Sequence, residues 1–222
     1  PCVYPDDDIA KTKEVCLEDM IDKSNLTEEQ FEKALALLAR YSDCFAWRPE
    51  DLGECSVPGA YHHINVGSAT PIKKGYYRMP YKKYEELRKH IDKLLELGVI
   101  RPCALSPWSS PVHLVPKPNG DTRLVCDMRG VNSVTVKDSY PMPLINDILA
   151  GLGPSRFLSH SDAYSGFWQI PIHPDSIPIT CISTPFGTFE WTRMCYGLAN
   201  APTTFSRIVN NVLRSCLDAR HT

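Results

Sequence analysis

Nineteen prolines among 222 residues confine this chain to short elements, because each proline fixes φ, lacks an N–H donor, and interrupts helix interiors and central strands alike. Between residues 42 and 80, Pro49, Pro58, Pro71 and Pro80 leave room only for loop and brief extended pieces. Hydrophobic residues at 43% and charged residues at 23% describe a soluble, globular class large enough for one substantial core or one domain with a lead-in. No stretch approaches the ~20 apolar residues of a membrane span, so no membrane partner is expected. The amino terminus, "PCVYPDDDIAKTKEVC", has neither an initiating Met nor a signal-peptide core. It reads as the middle of a longer polypeptide, with residues 1–25 a flexible lead-in that shows no sustained period.

Nine cysteines are scattered without a C-x-x-C pair, and no Cys/His cluster has zinc spacing. The odd count and even scatter point to reduced thiols in an intracellular, cytoplasmic protein. His62 and His63 are adjacent, which on a strand aims them at opposite faces, so they are read as ordinary histidines rather than a metal pair. The net charge of −2 conceals an asymmetry: residues 1–60 carry 6 Lys/Arg against 14 Asp/Glu, residues 61–129 carry 12 against 6, and residues 130–222 carry 6 of each. A basic middle block in an acidic chain suits a phosphate-rich partner. A solvated helix face with spare lysines is the competing reading.

Four helices and a hairpin are legible. In "LTEEQFEKALALLARY", Thr27 and Gln30 form a capping box, Leu26 and Phe31 a hydrophobic staple, and Phe31, Ala34, Leu35 and Leu38 one apolar stripe. In "YKKYEELRKHIDKLLELG", Tyr84, Leu87, Ile91, Leu94 and Leu95 face a core and Gly98 ends the helix. "PVHLVPKPNGDTRLVCD" predicts two strands joined through Asn119-Gly120, with Lys117 just before the tip and Arg123 just after it. Two cations near a hairpin tip suit an anionic ligand, or serve solubility alone. A short helix is expected over 143–153, a strand over "SRFLSHSD" ending at Asp162, and further strands around 168–172, 179–183 and 186–191 with a turn at Gly187. "NAPTTFSRIVNNVL" predicts a last helix capped by Asn200, with Pro202 in its first turn and a buried stripe of Phe205, Ile208, Val209, Val212 and Leu213. The order of elements is that of an α+β fold.

Three stretches in order carry a family resemblance from about Leu26 to Leu213: "ELGVIRPCALSPWSSPVHLVPKPNGDTRLVCDMRGVNSVTVKDSYPMP", "FLSHSDAYSGFWQIPI" and "TPFGTFEWTRMCYGLANAPTTF". They resemble the fingers and upstream palm of the reverse transcriptase region of gypsy-type LTR retrotransposon Pol polyproteins. The resemblance implies a right-hand polymerase fold, with an N-terminal helix and connector over 26–80 and fingers plus partial palm over 81–222. It implies RNA-directed DNA synthesis on an RNA or DNA template-primer with deoxynucleoside triphosphates, a phosphoryl transfer in which two Mg²⁺ ions held by hard oxygen ligands clamp the reacting oxygens. By resemblance Asp162 is the first of three metal-binding carboxylates, with the backbone carbonyl of Ala163 beside it. Phe167 is the steric gate against a ribose 2′-hydroxyl. Lys117 and Arg123 grip the triphosphate, where charge-assisted bonds and arginine's forked donors suit phosphate. Tyr196 and Gly197 line the nucleotide and template pocket, and Arg129 and Asn132 are mainly structural.

The chain departs from the family pattern at the "KPNGD" tip, at Ser161 where a small aliphatic residue is usual, and at Ile179 where a Lys is common. The remaining two acids belong to a Tyr/Phe-x-Asp-Asp hairpin that normally follows the helix containing Phe205, and "LRSCLDARHT" stops short of it. Asp218 lacks a paired acid, and the "YPDD" at Tyr4 to Asp7 stands at the wrong end of the chain. The expectation is therefore a truncated, catalytically inactive piece, with the rest of the palm, thumb, RNase H and integrase expected elsewhere in the polyprotein. The strands near Asp162 would be left with an open, apolar edge. An alternative is a degenerate or host-retained remnant that binds nucleic acid without catalysis. The absence of Asp-Thr-Gly and Asp-Ser-Gly argues against an aspartic protease.

Overall fold

The computed structural model describes residues 16–103, 105–118, 120–142, 144–152 and 157–218. Residues 1–15 of the lead-in with their "YPDD", Asn119 of the hairpin tip, Pro143 and Gly153 of the short-helix segment, and Ser155 and Arg156 of the expected strand lie outside them. The chain divides into two compact units at Gly53–Glu54.

The first unit is built around α1 (Glu28–Arg40). Its capping box forms as expected: Thr27 Oγ1 accepts from the Gln30 N–H at 3.3 Å, and Gln30 Oε1 accepts from the Thr27 N–H at 2.9 Å. Two orphan donors of the helix start are satisfied reciprocally. Phe31, the N4 residue of the staple, is buried. Upstream, residues 17–20 and 23–25 wind into two short 3₁₀ turns. Asp22 drives the second turn by accepting from the Ser24 N–H at 2.9 Å, a local bond that hydrophobic periodicity does not register.

The second unit is a mixed sheet of five strands, β1 (Ile100–Pro102), β2 (Ser110–Pro116), β3 (Thr122–Cys126), β4 (Ile182–Thr184) and β5 (Gly187–Trp191), in the order β1-β5-β4-β2-β3. The β2–β3 hairpin is antiparallel from Val112 opposite Cys126 to Pro116 opposite Thr122, and Lys117 donates its N–H to the Asp121 carbonyl at 2.7 Å to close it. The β2–β4 pairing is parallel, setting Ser110 opposite Ile182, and thereby joins the early hairpin to the later strands. β4 returns through Pro185 and Phe186, and Gly187 begins β5 at φ +122°, a conformation that favours glycine.

α2 (Lys82–Glu96) packs on β3 and β1 through Leu87, Ile91 and Leu94. Each such side chain contributes about 1.5–3 kcal/mol on leaving water. The helix ends as the sequence demands, in a Schellman motif. Gly98 sits at φ +66°, its N–H donates to the Leu95 carbonyl at 3.0 Å, and the Val99 N–H donates to the Leu94 carbonyl at 3.1 Å. α3 (Arg129–Val134), α4 (Ile145–Leu152) and α5 (Ala201–Asp218) complete the unit. Cys181 and Cys195 are free thiols and buried. No described helix is long and apolar enough to cross a membrane.

The structure corrects four expectations. Residues 157–163 are exposed and irregular rather than a strand: a strand exists only by pairing, and none of the five described strands pairs with them. Residues 166–169 and 174–180 form 3₁₀ turns, leaving only isolated bridges at Pro171 and Ile172, where Pro174 and Pro178 withhold ladder donors. Asn200 stands at the start of α5 but does not cap it with its side chain. Its amide donates to the Val136 carbonyl at 2.8 Å and accepts from the Asp138 N–H at 3.1 Å. The apolar stripe of α5 is buried only in part, since Val212 and Leu213 are 54% and 45% exposed.

His62 ties the start of this unit to α5, its Nδ1 lying 2.9 Å from Thr204 Oγ1. It is 1% exposed, and that burial, with His63 adjacent, pulls its pKa from 6.5 down to about 4. The unfolded chain takes up this proton near pH 6.5 while the folded chain excludes it down to about 4. The contribution is therefore whole above pH 6.5 and lost as pH falls toward 4. Urea midpoints measured across this window should reveal roughly 3 kcal/mol of acid destabilisation from this residue, and His62→Gln should flatten that limb. A second expectation concerns surface: Ile145, Ile148 and Leu149 of α4 are 74%, 51% and 59% exposed, and Phe157 and Leu158 are 51% and 69% exposed. Apolar faces of this extent drive association, so size-exclusion chromatography of the 222-residue chain should show concentration-dependent self-association rather than one sharp monomer peak.

Candidate active site

Asp162 and Ala163 occupy an exposed bend that leads into a tight turn. Ser165 is buried at φ 44° and ψ 45°, the one described residue other than glycine with positive φ. That left-handed conformation costs a serine about 1 kcal/mol, and the surrounding bonds enforce it. The Gly166 N–H donates to the Ala163 carbonyl at 3.1 Å, the Trp168 N–H to the Ser165 carbonyl at 2.8 Å, and the Gln169 side chain to the Tyr164 carbonyl at 2.7 Å. The chain is thereby reversed over five residues, and Phe167 is carried back toward the interior.

Phe167 then meets two other rings. Its centroid lies 5.2 Å from that of Tyr196 and 5.5 Å from that of Phe205 on α5. Such offsets are within the favoured range for aromatic pairs. Gly166 makes the approach possible, because a Cβ there would stand 2.9 Å from Phe205 Cε2 and 3.1 Å from Ala163 Cβ. Of the residues singled out in the sequence, Phe167 and Tyr196 are therefore in contact, with Asp162 and Ala163 on the adjoining bend.

Gly197 continues from Tyr196 at φ +93°, accessible to glycine and strained for other residues. Asn132, within α3, fixes this loop at two points. Its Nδ2 donates to the Gly197 carbonyl at 2.7 Å and its Oδ1 accepts from the Ala199 N–H at 2.9 Å. The structural reading of Asn132 thus acquires a definite task. A primary amide alone among side chains of this size presents a donor and an acceptor side by side for such a clamp.

Lys117 and Arg123 lie on the β2–β3 hairpin, whose strand β3 forms an edge of the sheet. Lys117 is half-buried at the tip, and half-buried Arg123 lies opposite Val115 in the ladder. Their positions belong to one hairpin that α2 supports, His90 Nε2 lying 3.1 Å from Thr122 Oγ1.

A further cation was legible only as a structural residue. Arg129 makes a two-point contact with Asp127, Nε to Oδ1 at 2.7 Å and Nη2 to Oδ2 at 2.9 Å, while Tyr77 Oη donates to the same Oδ2 at 2.6 Å. The guanidinium beside it holds the Asp127 carboxyl well below the usual carboxylate range, and Tyr77 adds to the effect. Asp127 is buried, yet the Arg129 side chain is 83% exposed. A pre-oriented guanidinium with donors left to solvent suits phosphate oxygens. Periodicity cannot reveal this, because the partner Tyr77 is remote in sequence.

Burial pushes the Cys181 thiol up to about 12 and holds the Cys195 thiol well above its usual value, so both stay protonated and inert at neutral pH. The residues present do not fit a two-metal centre. Asp162 is the one carboxylate on the bend, the Ala163 carbonyl already accepts from Gly166, and no group of three His, Cys, Asp or Glu side chains with metal-binding geometry occurs among the described residues. Two Mg²⁺ ions need more anionic oxygen than this.

The turn's dependence on a missing Cβ is testable. Gly166→Ala should cost about 1–3 kcal/mol, as overpacking does, and thermal unfolding would show it, while Gly151→Ala, with open space around its Cβ position, should leave the midpoint near its starting value.

Comparison with known proteins bears on family and fold. Residues 115–221 match the family described as reverse transcriptase (RNA-dependent DNA polymerase). The chain is 40% identical over 156 residues to the retrovirus-related Pol polyprotein from transposon opus of Drosophila melanogaster, covering 68% of this chain and 16% of that protein. It is 38% identical over 134 residues to the corresponding polyprotein from transposon gypsy of the same organism, covering 58% of this chain and 13% of that one. Among solved structures, prototype foamy virus protease-reverse transcriptase superposes with a TM-score of 0.76 at 28% identity, covering 90% of this chain and 26% of that one. The foamy viral enzyme in complex with an RNA/DNA hybrid superposes with a TM-score of 0.74 at 26% identity, again covering 90% and 26%. The chain thus spans less than a fifth of these curated relatives. By sequence and by fold alike, it carries a reverse transcriptase domain segment of the kind found in retrotransposon Pol polyproteins.

Proposed function

We propose that this chain serves as the fingers and upstream palm of an RNA-directed DNA polymerase within a longer Pol polyprotein, where it holds a template-primer and an incoming deoxynucleoside triphosphate. The observation that carries the reading is the joining of the Asp162 bend to Phe167 and, through it, to Tyr196 beside Gly197. In this reading Asp162 contributes one metal-binding carboxylate, with the Ala163 carbonyl beside it. Phe167, braced by Tyr196 and Phe205, stands as a rigid wall where a ribose 2′-hydroxyl would project. Lys117 and Arg123 bind the triphosphate, and Gly197 lets the backbone approach the nucleotide closely. The Asn132 clamp keeps that loop in place before the ligand arrives, lowering the ordering cost of binding. A working centre still requires two more carboxylates, so no catalytic step belongs to these 222 residues alone.

The basic block of 61–129, with 12 Lys/Arg against 6 Asp/Glu, also favours a second reading, a remnant that binds nucleic acid without catalysis. One set of measurements separates the two. The 222-residue chain should bind template-primer with an affinity that falls steeply as salt rises and should extend no primer with Mg²⁺ and deoxynucleotides. Joined to a Tyr/Phe-x-Asp-Asp segment from a relative, it should gain Mg²⁺-dependent extension that Asp162→Asn abolishes. Binding with no extension by the joined protein would favour the remnant, and extension by the 222 residues alone would refute the assignment of the acids.

A further inference from the structure

The N-terminal turn of α2 carries a side chain that folding does not explain. Tyr81 occupies the N-cap position, where Ser, Thr, Asp or Asn would stabilise the helix by about 1 kcal/mol. It makes no side-chain cap bond and is 86% exposed. Its ring nevertheless belongs to an ordered series. The Tyr81 and Tyr84 centroids are 5.7 Å apart, those of Tyr84 and Phe186 are 6.1 Å apart, and the Arg88 guanidinium lies 5.1 Å from the Phe186 centroid. Arg78, Met79 and Pro80 join Tyr81 and Tyr84 around an open concavity of about 520 Å³, within the ~300–1,000 Å³ range of small-molecule sites.

The charges around this series are mixed but favour anions. Arg78, Lys82, Lys83, Arg88 and Lys89 stand on or beside the turn, against Glu85, Glu86 and Asp92, and Asp92 already pairs with Arg88 at 3.5 Å. The whole block of 61–129 shares this sign. An open aromatic face next to cations is the arrangement that takes a nucleobase by stacking and its phosphate by charge. Paired bases have their faces covered by neighbours, so a ring 86% open to solvent is useful only to an unpaired base. A proline-rich peptide could also lie on tyrosines, but it would leave the cations without anionic partners.

We infer that Tyr81, with Tyr84 and Arg78, forms a stacking platform for an unpaired nucleotide of a single-stranded nucleic acid. The inference rests on the reading above only for the nature of its ligand. It adds a site on α2, at a different element from the Asp162–Tyr196 cluster.

The test uses the 222-residue chain, fluorescent oligo-dT, a blunt DNA duplex and an oligo-dT carrying 5-iododeoxyuridine. Tyr81→Ala should weaken oligo-dT binding about tenfold, the scale of one lost base stack. Tyr81→Trp should retain it, and neither change should move duplex affinity by more than a small factor. Irradiation of the iodinated strand should cross-link Tyr81, identified by mass spectrometry. Because the ring is exposed, both variants should unfold at the wild-type temperature. Unchanged oligo-dT binding in Tyr81→Ala with no cross-link would overturn the platform while duplex binding kept the polymerase reading intact. Equal losses for single strand and duplex would overturn it as well, by pointing to a general charge or folding effect. Displacement of the strand by a polyproline peptide that itself depends on Tyr81 would reassign the groove to a protein partner. No binding to either nucleic acid would remove both readings.

Discussion

The packing of Phe205 against a residue with no side chain organises the candidate site. Because Gly166 leaves room, α5 can lie close to the Ser165 turn, and the Phe205 ring holds Phe167 from one side while Tyr196 holds it from the other. The strained φ of Ser165 is sustained by this enclosure. α5 is in turn held to the start of the unit by His62 at Thr204, and to the segment before α4 by Asn200 and the ion pair of Arg207 with Asp138. A contact between one ring and one glycine therefore couples the carboxylate bend to α5.

Amides rather than charges do much of the joining. Asn132 bridges the Gly197 loop and Asn200 bridges the segment at Val136 to Asp138, each using both donor and acceptor. Neutral groups of this kind satisfy backbone atoms without the desolvation cost of a buried ion. The charged contact at Asp127 differs in kind. Its carboxylate is buried, but its arginine is mostly in solvent, so the pair orients a cation outward.

Much of the architecture could be read from local patterns. The Thr27–Gln30 box, the α2 stripe ending at Gly98, and the β2–β3 hairpin depend on residues within a few positions of one another, and each formed as expected. The site was legible in part. The motifs around Asp162, Phe167 and Tyr196 mark chemistry by residue type, and the structure brings Phe167 and Tyr196 together. The Arg129–Asp127 pair was legible only in part, since Tyr77, which donates to the same carboxylate, stands fifty positions away from Asp127. Asn200 misled for the opposite reason: its type and place fit a cap, and a more distant partner took its amide.

The sequence by itself determined where α1 begins and α2 stops, which faces of those helices are apolar, and which family the motifs resemble, because capping, periodicity and backbone freedom act over a few residues. Only the tertiary structure decided that residues 157–163 stay outside the five described strands, that the β2–β4 pairing is parallel, and that Gly166 lies beneath Phe205. Strand pairing and close packing are relations between distant segments, and a strand signal without a neighbour to supply its hydrogen bonds does not become a strand.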